Sequence, residues 1–204
     1  RVLDTWWYGT DVFGELAHNP MLELVIGDIR ARDTVNASVT GCTDVIHLAC
    51  ISNDPSYDLN PQLGEEINFT AFEPLVQAAK SAGVSRFVYA SSSSVYGVKE
   101  EERVTEDLPL DPLTDYSKYK AMCEPILLDA ASDNFVTTVI RPATLCGYSP
   151  RQRLDLTVNI LTNNAVNEQV IRVFGGDQYR PNLHVEDMCR VYLEVLQQPA
   201  SKVN

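Results

Sequence analysis

Short apolar runs alternate with longer stretches of helical periodicity along the chain, and this alternation restricts the fold more than any other feature of the sequence. Residues 1–3, 22–26, 44–49, 86–90 and 136–141 are rich in Val, Ile and Leu, without the strict apolar–polar alternation of a strand that keeps one face wet. They read as strands buried on both sides. Between the third and fourth runs, residues 65–82 place Ile67, Ala71, Leu75 and Ala78 on one helical face, and Gly83 ends it. Another helix is expected over residues 116–131. Strands separated by helices need crossover connections, so the expectation is an α/β fold with a doubly wound parallel sheet.

After Arg141 the pattern changes. Pro142, Gly147 and Pro150 mark a loop, and a helix over residues 154–167 follows. A strand over residues 170–174 should lead into Gly175-Gly176, with a last helix over residues 185–197. Residues 1–141 therefore read as a core domain and residues 142–204 as the start of a second, smaller portion. The acidic stretch at residues 99–107 reads as a solvated loop.

The net charge of −12 opposes binding to nucleic acid or to an anionic membrane surface, because phosphates would be repelled. It leaves room for a small phosphate-bearing ligand held by a few local cations and backbone N–H groups. An apolar share of 45% and a charged share of 22% are those of an ordinary globular protein. No run of about 18 apolar residues marks a membrane span. The five cysteines are scattered without a C-x-x-C pair, which argues against a zinc ribbon or a disulfide framework and for several buried, reduced thiols in a cytoplasmic protein. No metal site is expected. Arg1 at the start and Ser201–Asn204 at the end read as interrupted elements, so further chain is expected on both sides.

The chemistry concentrates in Tyr116-Ser117-Lys118-Tyr119-Lys120. Residues four apart share a helix face at roughly 5–6 Å, and an ammonium that close favours a phenolate, making a general base. Such a pair alone is common on the surface of amphipathic helices. What sharpens it is the preceding strand, residues 86–90, which ends in Ser91-Ser92-Ser93-Ser94-Val95-Tyr96-Gly97. Hydroxyls at the carboxyl end of a parallel strand lie where an open α/β sheet puts its ligand.

A strand ending S-S-x-x-V-Y-G, followed by Y-x-x-x-K, resembles the extended short-chain dehydrogenase/reductase family, in particular its UDP-glucose 4-epimerase-like members. The likeness extends over essentially the whole chain. It implies a Rossmann-like NAD-binding core at residues 1–141, part of a substrate-binding portion at 142–204, and a catalytic set of Ser92, Tyr116 and Lys120. Asp4 takes the place of the carboxylate that accepts the adenosine ribose hydroxyls, which favours NAD over NADP. Asp28 and Ile29, in Gly27-Asp28-Ile29-Arg30, match the step along the adenine. Leu48 and Ala49, in His47-Leu48-Ala49, match the element beside the pyrophosphate. Asn68 matches a helical Asn that supports the site. For His47 itself the reading is a packed histidine.

Ser93, Ser94 and Thr144 are substrate-binding candidates by resemblance, Thr144 within Arg141-Pro142-Ala143-Thr144, which matches the family segment that passes the nicotinamide end. Arg180, in Arg180-Pro181-Asn182-Leu183-His184-Val185-Glu186-Asp187, matches the arginine that reaches the diphosphate, and Asn159 is a weaker candidate for the same group. By resemblance the substrate is a nucleotide-diphosphate sugar, with C4 epimerisation through a keto sugar as the leading reaction. The family's 4,6-dehydratases carry Asp-Glu after their catalytic Thr. Here Ser93 and Ser94 stand there, which disfavours dehydration. Dehydration, reduction, decarboxylation and a non-catalytic NAD-binding module are the alternatives. The family's Gly-rich turn would lie before Arg1. A homodimer is the expected assembly.

Overall fold

In the computed structural model, residues 1–52, 57 and 59–203 are described. Among the described residues every strand pairing is parallel. Strand β1 (Val2–Asp4) pairs with β2 (Leu24–Ile26), β4 (Arg86–Ala90) lies between β3 (Asp44–His47) and β5 (Val136–Ile140), and β6 (Thr144–Cys146) pairs with β7 (Asn182–His184). Arg86 stands in register with both Asp44 and Val136, so three carboxyl ends finish at one rim.

The helices are α1 (Arg32–Val39), α2 (Pro61–Glu65), α3 (Phe72–Ser81), α4 (Asp115–Asp129), α5 (Thr157–Asn167) and α6 (Val185–Gln197). Alternation along β4 decides how they are arranged. Phe87 and Tyr89 point into a cluster with Val35 and Val39 of α1, Phe72, Leu75, Val76 and Ala79 of α3, and Cys123 and Leu127 of α4. Arg86 and Val88 turn to the other face, where the Arg86 guanidinium donates to the carbonyls of Val195 and Gln198 at the end of α6. Helices thus cover both faces of the β3–β4–β5 sheet, which is the doubly wound arrangement expected. The late segment also returns to this sheet at β5, through a hydrogen bond from Thr138 Oγ1 to the Val203 carbonyl.

Several expectations are corrected. Residues 170–174 form no strand: Val173 and Phe174 are largely exposed, and strand-like residues with no ladder to join lack a reason to be extended. Instead, Thr144–Cys146, read as loop, pairs with Asn182–His184. Strands β1 and β2 hold no buried residue and form a two-stranded ladder apart from the β3–β4–β5 sheet. Of the cysteines, Cys123 alone is buried and Cys189 is exposed; all five are free. The single helix expected over residues 65–82 is broken into α2, a π-helical turn at Glu66–Thr70 and α3, with the Ala71 N–H reaching back five residues to the Glu66 carbonyl.

Candidate active site

The start of α4 is set by its own sequence. Thr114 caps the helix: its Oγ1 accepts from the Ser117 N–H at 3.3 Å, and Ser117 Oγ accepts from the Thr114 N–H at 3.0 Å. This reciprocal cap fixes the rotation of the first turn, and with it Tyr116 and Lys120 on one stripe. Lys120 is 2% exposed. Its ammonium donates to the Ala90 carbonyl at the end of β4 at 2.6 Å, and lies 4.9 Å from the Tyr89 ring centre and 5.8 Å from that of Tyr116. The phenol and the amine expected to act together are on the same side of the helix, at the sheet's carboxyl rim.

Ser92 stands two residues past the end of β4 and caps the 3-10 turn Ser93–Tyr96. Its Oγ accepts twice from Ser94, from the N–H at 3.2 Å and from the hydroxyl at 2.9 Å. With both lone pairs engaged, the Ser92 O–H is left to act as a donor. The Ser93 N–H donates to the Pro142 carbonyl, tying this turn to the segment after β5.

The other residues expected at the cofactor follow strand ends, apart from Asn68 on the π-helical turn. Asp4 closes β1, with one carboxylate oxygen accepting from the Trp6 N–H at 2.7 Å; Trp6 adopts a positive φ of 55°. Asp28 grips the Arg30 side chain and N–H, and the Arg30 guanidinium holds the Asp28 carboxyl below the usual carboxylate range. Ile29 packs against the main core. Leu48 and Ala49 follow β3. Asn68, 5% exposed on the π turn, pairs with both polar groups of the Ile51 peptide at 2.8 Å, so it braces the loop after β3. Buried His47 stacks on Tyr89, and burial, together with the Lys120 charge, pushes its pKa down to about 3.

The substrate-side residues are less gathered. Thr144 opens β6. The Asn159 amide accepts from the Gly147 N–H and donates to the Arg153 carbonyl, bracing the loop between β6 and α5. Arg180 is exposed ahead of β7. Glu124 was missed in the sequence: it is 3% exposed, four residues beyond Lys120, and takes hydrogen bonds from Arg141 and Ser91. Its four-residue spacing was a visible signal, but its partners were not.

The donor set suits a dinucleotide. Carboxylates stand at the end of β1 (Asp4) and two residues past β2 (Asp28), while the Lys120 ammonium reaches the end of β4 two residues before Ser92, and the carboxyl ends of parallel strands are where such a fold holds its ligand. The fold is that of a nucleotide-binding α/β protein, with Tyr116 and Lys120 at its carboxyl rim and the Ser92 turn following β4. The chain belongs to the NAD-dependent epimerase/dehydratase family, whose profile it matches over residues 7–204.

Among its relatives are a low-salt glycan biosynthesis protein of Haloferax volcanii, 28% identical over 91% of this chain, and a dTDP-glucose 4,6-dehydratase of Streptomyces niveus, 28% identical over 96%. The chain spans 59% of the length of each. Among solved structures, a double mutant of dTDP-glucose 4,6-dehydratase from Streptomyces venezuelae with NAD bound superimposes with a TM-score of 0.83 at 26% identity, over 96% of this chain and 61% of that one. The UDP-glucuronic acid 4-epimerase of Bacillus cereus, in complex with UDP-glucuronic acid and NAD, gives 0.78 at 26% identity, over 91% and 59%.

Proposed function

We propose that this protein is an NAD-dependent nucleotide-sugar epimerase that inverts C4 through a transient keto sugar. The observation that supports the reading is the Lys120 ammonium beside the Tyr116 ring, bonded to the Ala90 carbonyl two residues before Ser92, with hydroxyls rather than carboxylates at Ser93 and Ser94. A dehydratase needs an acid and a base at those two positions to expel water. Neither serine can fill those roles, and the Ser94 hydroxyl is already turned to Ser92.

The proposed roles are those that the family resemblance implies. Tyr116, as phenolate, takes the proton of a sugar hydroxyl. Ser92 donates its O–H to the same oxygen, holding it as charge develops. Lys120, buried beside the ring, favours the phenolate electrostatically. Bound NAD supplies the acceptor, and then the donor, of hydride. Asp4 would hold the adenosine ribose hydroxyls and repel a 2′-phosphate, while Asp28, Ile29, Leu48, Ala49 and Asn68 shape the remaining cofactor edge, with Lys120 at the nicotinamide ribose. Residues 142–204 open the substrate-binding part. There Arg180, whose exposed charge suits a diphosphate, would act with Ser93, Ser94, Thr144 and Asn159. Among the described residues no helix is long and apolar enough to cross a membrane. A cytoplasmic homodimer is the assembly we propose.

Full-length protein loaded with NAD and given UDP-, CDP-, GDP- and dTDP-sugars should convert one of them to its C4 epimer, seen as a new sugar by chromatography. Tyr116→Phe should lower turnover by about 10³-fold or more while sparing NAD binding, since it removes only the proton acceptor. Unchanged activity in that variant would refute the assigned base. NAD bound without turnover of any sugar would favour a non-catalytic module.

A further inference from the structure

The stripe of α4 that carries Tyr116 and Lys120 continues, four residues on, to Glu124, which the proposed chemistry does not use. Its carboxylate is enclosed and heavily engaged. Arg141, just past the end of β5, donates to Oε2 through Nη2 at 2.6 Å and to both oxygens through Nε at 3.0 and 3.3 Å. Ser91 donates its hydroxyl to Oε1 at 2.5 Å. The remaining edge of Arg141 donates to the Tyr96 hydroxyl at 2.7 Å and stacks 4.9 Å from that ring's centre. One carboxylate therefore links α4, the ends of β4 and β5, and the turn that Ser92 caps.

Such an enclosed ion pair is a poor device for stability alone, because well-packed apolar replacements often do as well. Its geometry is more informative. Ser91 sits between Ala90, whose carbonyl receives the Lys120 ammonium, and Ser92. We propose that Glu124 is a positioning residue: by holding the Ser91 hydroxyl while Arg141 holds Glu124, it fixes the strand-end peptide that sets both Lys120 and Ser92 against Tyr116. The inference rests on the assignment of those three residues as the catalytic set.

Two variants of the full-length, NAD-loaded protein test it. Glu124→Gln keeps the shape but weakens the charged pairing; Ser91→Ala removes one hydrogen bond and leaves the ion pair intact. The sign of the response separates positioning from plain electrostatics. Loss of a negative charge makes a nearby phenolate easier to form and lowers its ionisation midpoint, whereas an ammonium drifting away raises it.

Positioning requires the Tyr116 midpoint to rise by roughly half a pH unit or more in Ser91→Ala, where no charge changes. That midpoint is read from the ultraviolet phenolate signal after subtraction of the matching Tyr116→Phe protein. In Glu124→Gln the midpoint should also rise, against the electrostatic trend. With whichever of UDP-glucose, UDP-glucuronic acid or dTDP-glucose the parent converts, kcat should fall about tenfold with KM within about threefold. A lowered or unmoved midpoint in a normally folded Ser91→Ala protein overturns the proposal. Absence of turnover by the parent would sink the functional reading instead, and the midpoint would still decide this one. Should Glu124→Gln fail to fold, Ser91→Ala decides alone.

Discussion

At the scale of single residues, the turn after β4 shows how narrow the sequence options are. Gly97 ends the Ser92-capped turn with φ 70° and ψ −144°, close to a region that side chains avoid. A Cβ there would stand 2.1 Å from the Asp111 carbonyl oxygen, on a segment whose N–H donates to the Val95 carbonyl. Gly97→Ala combines backbone strain with a clash against main chain that is itself tied down. The expected loss is about 2 kcal/mol or more in denaturant unfolding, with turnover reduced because Ser92 rides on the same turn. A loss under about 0.5 kcal/mol would mean the 97–111 segment shifts freely. The residue motif V-Y-G was plain in the sequence; the carbonyl that makes its glycine necessary lies fourteen positions away and was not.

At the scale of elements, α4 carries a contradiction that its sequence shows openly. Pro125 stands in the helix interior, exposed, where it removes the N–H that would reach the Ala121 carbonyl. The helix continues to Asp129 because Cys123, Leu127 and Ala130 are buried in the core, and packing outweighs the local penalty. Pro125→Ala should therefore stabilise the protein by about 1–2 kcal/mol, a helix gain reduced by the greater freedom of the unfolded chain. A calorimetric Tm raised by a few degrees would bear this out; a lowered Tm would show that the ring packs usefully.

Element reading succeeded where periodicity was long or the apolar run was buried, as for α4, α6 and β4. It failed at residues 144–146 and 170–174. Strand-forming residues there have similar local character, and only the availability of a partner separates the segment that pairs from the one that does not.

For the molecule as a whole, the buried centre makes stability depend on acid. His47 is held neutral by burial among Phe72, Phe87 and Tyr89, with the Lys120 charge adding to the effect, and its pKa is pushed down to about 3 from an ordinary 6.5. The unfolded chain protonates this ring as pH falls below about 6.5, while the folded chain does so only near 3. The unfolded state therefore binds the extra proton across that window, and stability falls with decreasing pH by up to about 1.4 kcal/mol per unit. The depressed carboxyls of Asp28 and Asp155, each held low first by an arginine hydrogen bond, add loss at still lower pH. In urea unfolding between pH 7 and 4, His47→Gln should show a shallower acid decline than the parent. Parallel curves would mean that the ring titrates normally in the folded state.

The local sequence was sufficient for whatever depends on chain geometry alone. The strand–helix alternation and the shared stripe of Tyr116 and Lys120 follow from backbone periods of two and 3.6 residues, which each segment carries without help. Burial and pairing needed the folded chain. The Glu124 carboxylate finds Ser91 and Arg141 from positions 33 and 17 residues away. His47 becomes a buried neutral ring, β6 meets β7, and Asn68 grips Ile51, only once distant segments share one core. Desolvation and ladder formation are set by which segments meet, and a single segment contains no record of that.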